Sequence, residues 1–184
     1  LRGVIDAQPP ALGEAELAAR DAAVLGSLAN AFDALKAARR DEGARLDAIL
    51  KQHAQRMEAL VAEAETLAAT QPEQLRARLK TSIDDILKAR AGLAEDRLAQ
   101  EIALLLVKAD VREELDRLKS HLTQARSLFA DAGAQGRRLD FLAQELNREA
   151  NTLCSKSSDI QLTRVGLELK ATIDQLREQV QNVE

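Results

Sequence analysis

Apolar residues recur along most of this chain at the spacing of a helix face. Leu17, Val24, Leu28, Ala31 and Leu35 follow one another at steps of seven, four, three and four. Leu46, Leu50, His53, Met57, Leu60, Ala64 and Leu67 alternate steps of four and three, a heptad seam held over three repeats. Gly26 and Gly43 weaken such helices by up to about 1 kcal/mol each without having to end them. Thr70-Gln71-Pro72 predicts a boundary, with Pro72 in the first turn of a new helix, where its missing N–H is harmless. Leu75, Leu79, Ile83 and Ile86 continue the stripe, and Gly92 marks a candidate break. Ile102, Leu104, Leu105, Leu106 and Val107 form the most apolar run, expected to lie buried among helices.

The second half repeats the pattern in shorter pieces. Asp110-Val111-Arg112-Glu113 has the form of a capping box and predicts a helix start at Asp110, with Val111, Leu115, Leu118 and Leu122 on its buried stripe. Gly133 and Gly136 delimit a loop. A helix from about 137 to 153 buries Leu139, Leu142, Leu146, Ala150 and Leu153. Ser155 to Asp159 is a polar turn that ends on an N-cap candidate, and Leu162, Val165, Leu169, Ile173, Leu176 and Val180 make the last seam. No strand pattern competes. The expected fold is all-α, with long amphipathic helices forming helical hairpins in a coiled-coil-like bundle. Residues 1–13, with Gly3, Pro9, Pro10 and Gly13, read as a linker from an N-terminal domain, 14–94 as a long-helix arm, and 95–184 as a C-terminal helical domain. The first residue is Leu1 rather than Met, which points to a segment upstream.

Composition sharpens this picture. Aromatics are 2% of the 184 residues, so alanine and leucine must build thin helix-on-helix seams rather than one thick core. A net charge of −4 argues against a generally basic nucleic-acid binder but leaves room for a local basic patch. The single cysteine, Cys154, has no internal disulfide partner and fits a reducing compartment. No apolar run approaches the roughly 20 residues of a membrane span. Nucleotide-binding loops, paired-cysteine zinc motifs and nucleophile elbows are also missing from the sequence.

Chemistry is concentrated in two polar clusters. Asp110, Glu114, Arg117 and His121 share one helix face, with Glu113 and Asp116 beside them. Carboxylates with an imidazole suit a divalent metal or general acid–base work. Equally, Asp110 and Glu113 are ordinary caps, and Glu114 with Arg117 an ordinary surface ion pair. In the second cluster, Arg137, Phe141, Gln144, Arg148 and Asn151 share a face, and Arg138, Glu145, Glu149 and Thr152 its neighbour. Asn147, Asn151 and Thr152 are poor helix formers, so packing or function must offset them. Arginines grip phosphate and amides read base edges or 2′-hydroxyls, while a polar network between helices would use the same residues. His53, set among Leu50, Met57 and Leu60, reads as a packing residue.

These clusters resemble the C-terminal region of the YicC/YloC family. The resemblance rests on Arg97-Leu98-Ala99-Gln100-Glu101, on Glu113-Glu114-Leu115-Asp116-Arg117-Leu118-Lys119-Ser120-His121 and on Gly136-Arg137-Arg138-Leu139-Asp140-Phe141. It continues through Gln144-Glu145-Leu146-Asn147-Arg148-Glu149-Ala150-Asn151-Thr152-Leu153, Ser155-Lys156-Ser157, Glu168-Leu169-Lys170 and Glu178-Gln179-Val180-Gln181-Asn182. It is dense from about 95 to 184 and looser before. Cys154 departs from the family pattern, which has a smaller residue there.

The resemblance implies a bacterial cytoplasmic endoribonuclease that depends on a divalent metal, Mn or Mg, and forms a ring-like, hexamer-like homo-oligomer. On that reading His121, Glu145 and Glu149 are the catalytic candidates. Glu113, Glu114 and Asp116 are the metal candidates, and Arg137, Arg138, Gln144, Arg148, Asn151 and Lys156 hold RNA. Either a metal-activated water attacks the phosphate, or His121 activates the ribose 2′-OH and leaves a cyclic phosphate. The alternative is a structural module for oligomerisation or RNA binding, whose catalytic site needs the N-terminal domain.

Overall fold

In a computed structural model, residues 13–89, 95–131 and 133–183 are described, and all their regular structure is helical. Five helices follow in order: α1 Glu14–Ala89, α2 Glu95–Lys108, α3 Arg112–Ala130, α4 Gly136–Lys156 and α5 Ile160–Val180. The chain divides into two compact units, residues 1–44 and 45–184. In the first, Val24, Leu25, Leu28, Phe32 and Leu35 are all exposed.

The second unit holds the core. From α1 it takes Leu50, Met57, Leu60, Val61 and Ala64, four of them on the predicted heptad seam. The stripes predicted for α3, α4 and α5 are buried, from Val111 through Leu122, Leu139 through Leu153 and Leu162 through Val180. Each fully buried leucine contributes roughly 2 kcal/mol relative to an exposed one, so this shared seam dominates stability. Short connections make α3, α4 and α5 successive antiparallel neighbours. Ion pairs Arg126–Glu58 and Lys119–Glu65 set α1 antiparallel to α3, and Arg56–Glu168 joins α1 to α5. All are exposed, so water screens them and they orient the helices more than they stabilise them. The Glu58 and Glu65 carboxylates raise Arg126 and Lys119 above their ordinary values through these hydrogen bonds.

The local signals were met in different ways. Asp159 caps α5 as expected, its carboxylate accepting from Leu162 N at 2.9 Å. The boundary expected at Pro72 is absent, and α1 runs through it. Proline removes one intrahelical bond, and the helix on both sides carries the chain across. The capping box at Asp110 is not formed either. The N-cap is Val111, and Asp110 accepts from Arg112 N at 3.0 Å instead of from Glu113. The apolar run on α2 is not buried throughout, because Leu104, Leu105 and Val107 are exposed. The six helical residues from 102 to 107 cover every side of the cylinder, so only Ile102 and Leu106, four apart, turn partly inward. Gly92 and the side chains of Ile83 and Ile86 lie outside the described residues. Among the described residues no helix is long and apolar enough to cross a membrane.

Two glycines mark close approaches. A Cβ on Gly136 would collide with the carbonyl oxygen of Val183, so the start of α4 seats directly on the chain after α5. A Cβ on Gly166 would lie 2.5 Å from the Cys154 sulfur. Burial beside this backbone pushes the Cys154 thiol above its ordinary value.

Candidate active site

Antiparallel packing of α3 against α4 turns part of each polar face toward the other. His121 comes from the middle of α3, and Glu145 and Glu149, one turn apart, from α4. A ring nitrogen of His121 and one oxygen of each carboxylate all lie within 4.8 Å of one another. His121 and Glu145 are half-buried, and Glu149 is buried. Arg117, one turn before His121, donates to Glu149 Oε1 at 3.4 Å and also to Glu113. A buried carboxylate is therefore held in place by a cation on the opposing helix. The arrangement offers one nitrogen and several carboxylate oxygens at a water-accessible seam.

The donor set fits a divalent cation. Ligand atoms about 2.1 Å from one Mg²⁺-sized ion lie about 3.0 Å apart when adjacent and about 4.2 Å when opposite, so the three side chains, now within 4.8 Å of one another, would draw together on an ion. Imidazole with carboxylates is also the donor mixture that hard to borderline ions such as Mn²⁺ accept.

Glu113, Glu114 and Asp116 are not gathered into a comparable group. Glu113 faces Arg117, and exposed Asp116 lies 3.8 Å from Lys119. Glu114 is buried, with its Oε1 accepting from Lys156 Nζ at 2.7 Å. The same ammonium donates to the carbonyl of Asp110 at 3.3 Å. Lys156 thus ties the end of α4 to the start of α3. The surface pair considered between Glu114 and Arg117 does not form, since each takes a different partner. Asp110 binds the Arg112 side chain and backbone, and these hydrogen bonds hold its carboxyl below the usual range.

Of the residues expected to hold RNA, Arg137 and Arg148 are exposed, and their guanidinium groups make no ion pair or hydrogen bond among the described residues. Phe141 stands on the same face, 64% exposed. Arg138 donates to Gln135 Oε1 at 3.0 Å, and Gln144 to Asp140 at 2.8 Å. Asn151 donates to Asn147, which donates to Asp174 on α5. The polar network between helices and the exposed basic face therefore coexist on α4.

Sequence comparison adds the family. The family described as endoribonuclease YicC-like, C-terminal, matches residues 64–184. The chain belongs to this family. It is 37% identical over 186 residues to a Haemophilus influenzae protein named "Probable endoribonuclease YicC", covering 99% of this chain and 61% of that protein. A Clostridioides difficile protein of the same name is 36% identical over 150 residues, covering 82% of this chain and 51% of that relative. The chain thus spans between half and two thirds of these relatives' length. The matched region contains all of α3 and α4, and with them His121, Glu145 and Glu149.

Sequence reasoning missed two features. Arg117 was visible only as a member of a charged face, and its reach to Glu149 depends on how α3 and α4 are rotated against each other. Gln71 was read as part of a boundary, yet it is 8% exposed with neither amide atom hydrogen-bonded. No pattern within its helix distinguishes it from an exposed glutamine.

Proposed function

We propose that this chain is the RNA-cleaving module of a divalent-metal-dependent endoribonuclease, with His121, Glu145 and Glu149 at its reacting centre. The observation that carries the reading is the convergence of these three side chains from two helices in a family whose relatives are named as endoribonucleases. A divalent ion held by the three would neutralise charge on the scissile phosphate and lower the pKa of a bound water.

The chain's own residues supply the remainder. Exposed Arg137 and Arg148 bind the phosphates on either side of the cleavage point, in the bidentate geometry guanidinium offers. Phe141 between them gives a base a ring to stack on, worth about 1–3 kcal/mol. Arg117 fixes the Glu149 carboxylate toward His121, so the site is organised before RNA arrives. The partly buried imidazole beside two carboxylates also favours a second route, in which His121 takes the 2′-OH proton. RNA ends separate the two: a 2′,3′-cyclic phosphate follows 2′-OH attack, and a linear phosphate follows attack by water.

The test is Mn²⁺ binding by calorimetry and cleavage of single-stranded RNA by wild type, His121→Ala and Glu149→Gln. Each variant is expected to weaken Mn²⁺ at least about tenfold and to slow cleavage by about 100-fold or more, with its helical circular dichroism intact. Normal cleavage by both variants would remove the assignment.

A further inference from the structure

A second site lies along the other end of α3. A cleft of about 640 Å³ opens between α1, the end of α2 and the first turns of α3. Leu75, Leu106 and Val111 give it an apolar wall, charged side chains including Arg76 and Arg112 stand at its rim, and Gln71 and Ala68 line it from α1. Gln71 is 8% exposed, and both its Oε1 and its Nε2 lack a partner. An amide left in this state carries a desolvation penalty that a ligand with matching donor and acceptor would relieve. Pro72 adds to the deficit. It has no N–H for the carbonyl of Ala68, four residues earlier, so that oxygen loses its donor within the helix. Residues 68 and 71 are neighbours on one helix face. The cleft therefore presents the unused acceptor and donor of the Gln71 amide, beside a helix carbonyl that Pro72 deprives of its ordinary donor.

We propose that this cleft takes a nucleobase of the RNA, adenine in particular. The inference rests on the RNA-cleaving reading above and names a specificity subsite for it. The rim carries both signs, with Glu65, Asp110 and Asp116 beside Arg76 and Arg112 and Asp110 already paired with Arg112, so the neutral Gln71 amide is the group that selects what enters. The apolar wall suits a flat ring. An exocyclic amino group carries two N–H donors, one for Gln71 Oε1 and one for the Ala68 carbonyl. The adjacent ring nitrogen accepts from Gln71 Nε2, the bidentate pairing that glutamine makes with adenine. Uracil has a single ring N–H between two carbonyls and leaves one acceptor unpaired. Adenine also covers more of the wall than cytosine. His121 lies six residues along α3 from Leu115, about 9 Å away at 1.5 Å per residue. That axial rise is comparable to about three stacked nucleotides at 3.4 Å each, which makes a base in the cleft and a phosphate near His121 compatible with one strand under this proposal.

The experiment measures fluorescence anisotropy of labelled hexauridylate RNA and of the same RNA with one adenosine, in EDTA so that no metal-dependent cleavage intervenes. Wild type is expected to prefer the adenosine-containing strand about tenfold, and Gln71→Leu to bind both strands equally. Pro72→Ala leaves Gln71 untouched and returns a donor to the Ala68 carbonyl. It is expected to melt higher than wild type and to lose part of the preference, which separates the effect from misfolding. No adenosine preference in wild type, or the same preference in both variants, overturns the proposal. If metal-dependent cleavage is normal while the preference ignores Gln71, the subsite is wrong and the nuclease reading stands. If the Gln71-dependent preference appears in a chain that does not cleave RNA with metal, the nuclease reading fails and the subsite stands.

Discussion

Arg117 on α3 donates to Glu149 on α4 at 3.4 Å, and the acceptor is only 4% exposed while the donor's side chain is 52% exposed. The pair is thus asymmetric. Water already solvates Arg117, whereas Glu149 depends on its neighbours for charge compensation. Arg117→Ala is expected to destabilise the chain by about 1–2 kcal/mol, below the full loss for a buried pair because one partner is half in water. Arg117→Ala with Glu149→Gln should recover most of that loss, read as urea midpoints in a double-mutant cycle. Independent, additive losses would show that the two side chains do not support each other.

The contact between Lys156 and Glu114 makes a stronger case. Glu114 is 3% exposed, and its second oxygen, Oε2, has no partner, so removing the ammonium leaves a carboxylate with nothing in its place. Lys156→Met is expected to cost about 3 kcal/mol. Glu114→Gln should cost less, since a neutral amide tolerates the same burial better. Equal losses in thermal and urea unfolding would argue that shape rather than charge governs this site.

Gly166 and Cys154 test how tightly α4 and α5 meet. A methyl at 166 would sit 2.5 Å from the sulfur, so Gly166→Ala is expected to destabilise by about 1–3 kcal/mol through overpacking. Adding Cys154→Ala opens the space again and should restore at least half of the loss. The measurement is the melting temperature of the two single variants and the double.

Asp110 predicts the acid limb of the stability curve. Hydrogen bonds from the Arg112 side chain and backbone lower its folded value below the ordinary 3.8. The contribution is therefore fully present above the unfolded value and is lost as pH falls through the folded one. Its carboxylate is partly exposed, so the effect is under about 1 kcal/mol. The stability difference between wild type and Asp110→Asn, from urea titrations, is expected to stay constant at pH 5–7 and shrink below about pH 4. A difference that grows as the pH drops would contradict it.

Much of the fold is legible before any coordinates are drawn. A seam such as Leu162-Val165-Leu169-Ile173-Leu176-Val180 encodes its own buried face, because helical period is a property of one segment. The failures were local signals overruled by context. Pro72 reads as a stop, yet one missing bond does not end a helix supported on both sides. The α2 run reads as core, yet too much of its circumference is apolar for one packing face to cover. The site was legible in part for the same reason. Arg117 and His121 had to share a face, as did Glu145 and Glu149, since residues four apart on a helix always do.

By itself, then, the sequence determined which side chains stand together on each helix: the heptad seam of α1, the stripes of α3 to α5, and the polar rows beside them. Tertiary structure alone decided which rows meet. It set His121 against Glu145 and Glu149, gave Glu114 to Lys156 rather than Arg117, and left Gln71 buried without a partner. The physical reason is range. Positions within a helix follow from a fixed rise and turn per residue, whereas the rotation and register between helices emerge from the packing of the whole core.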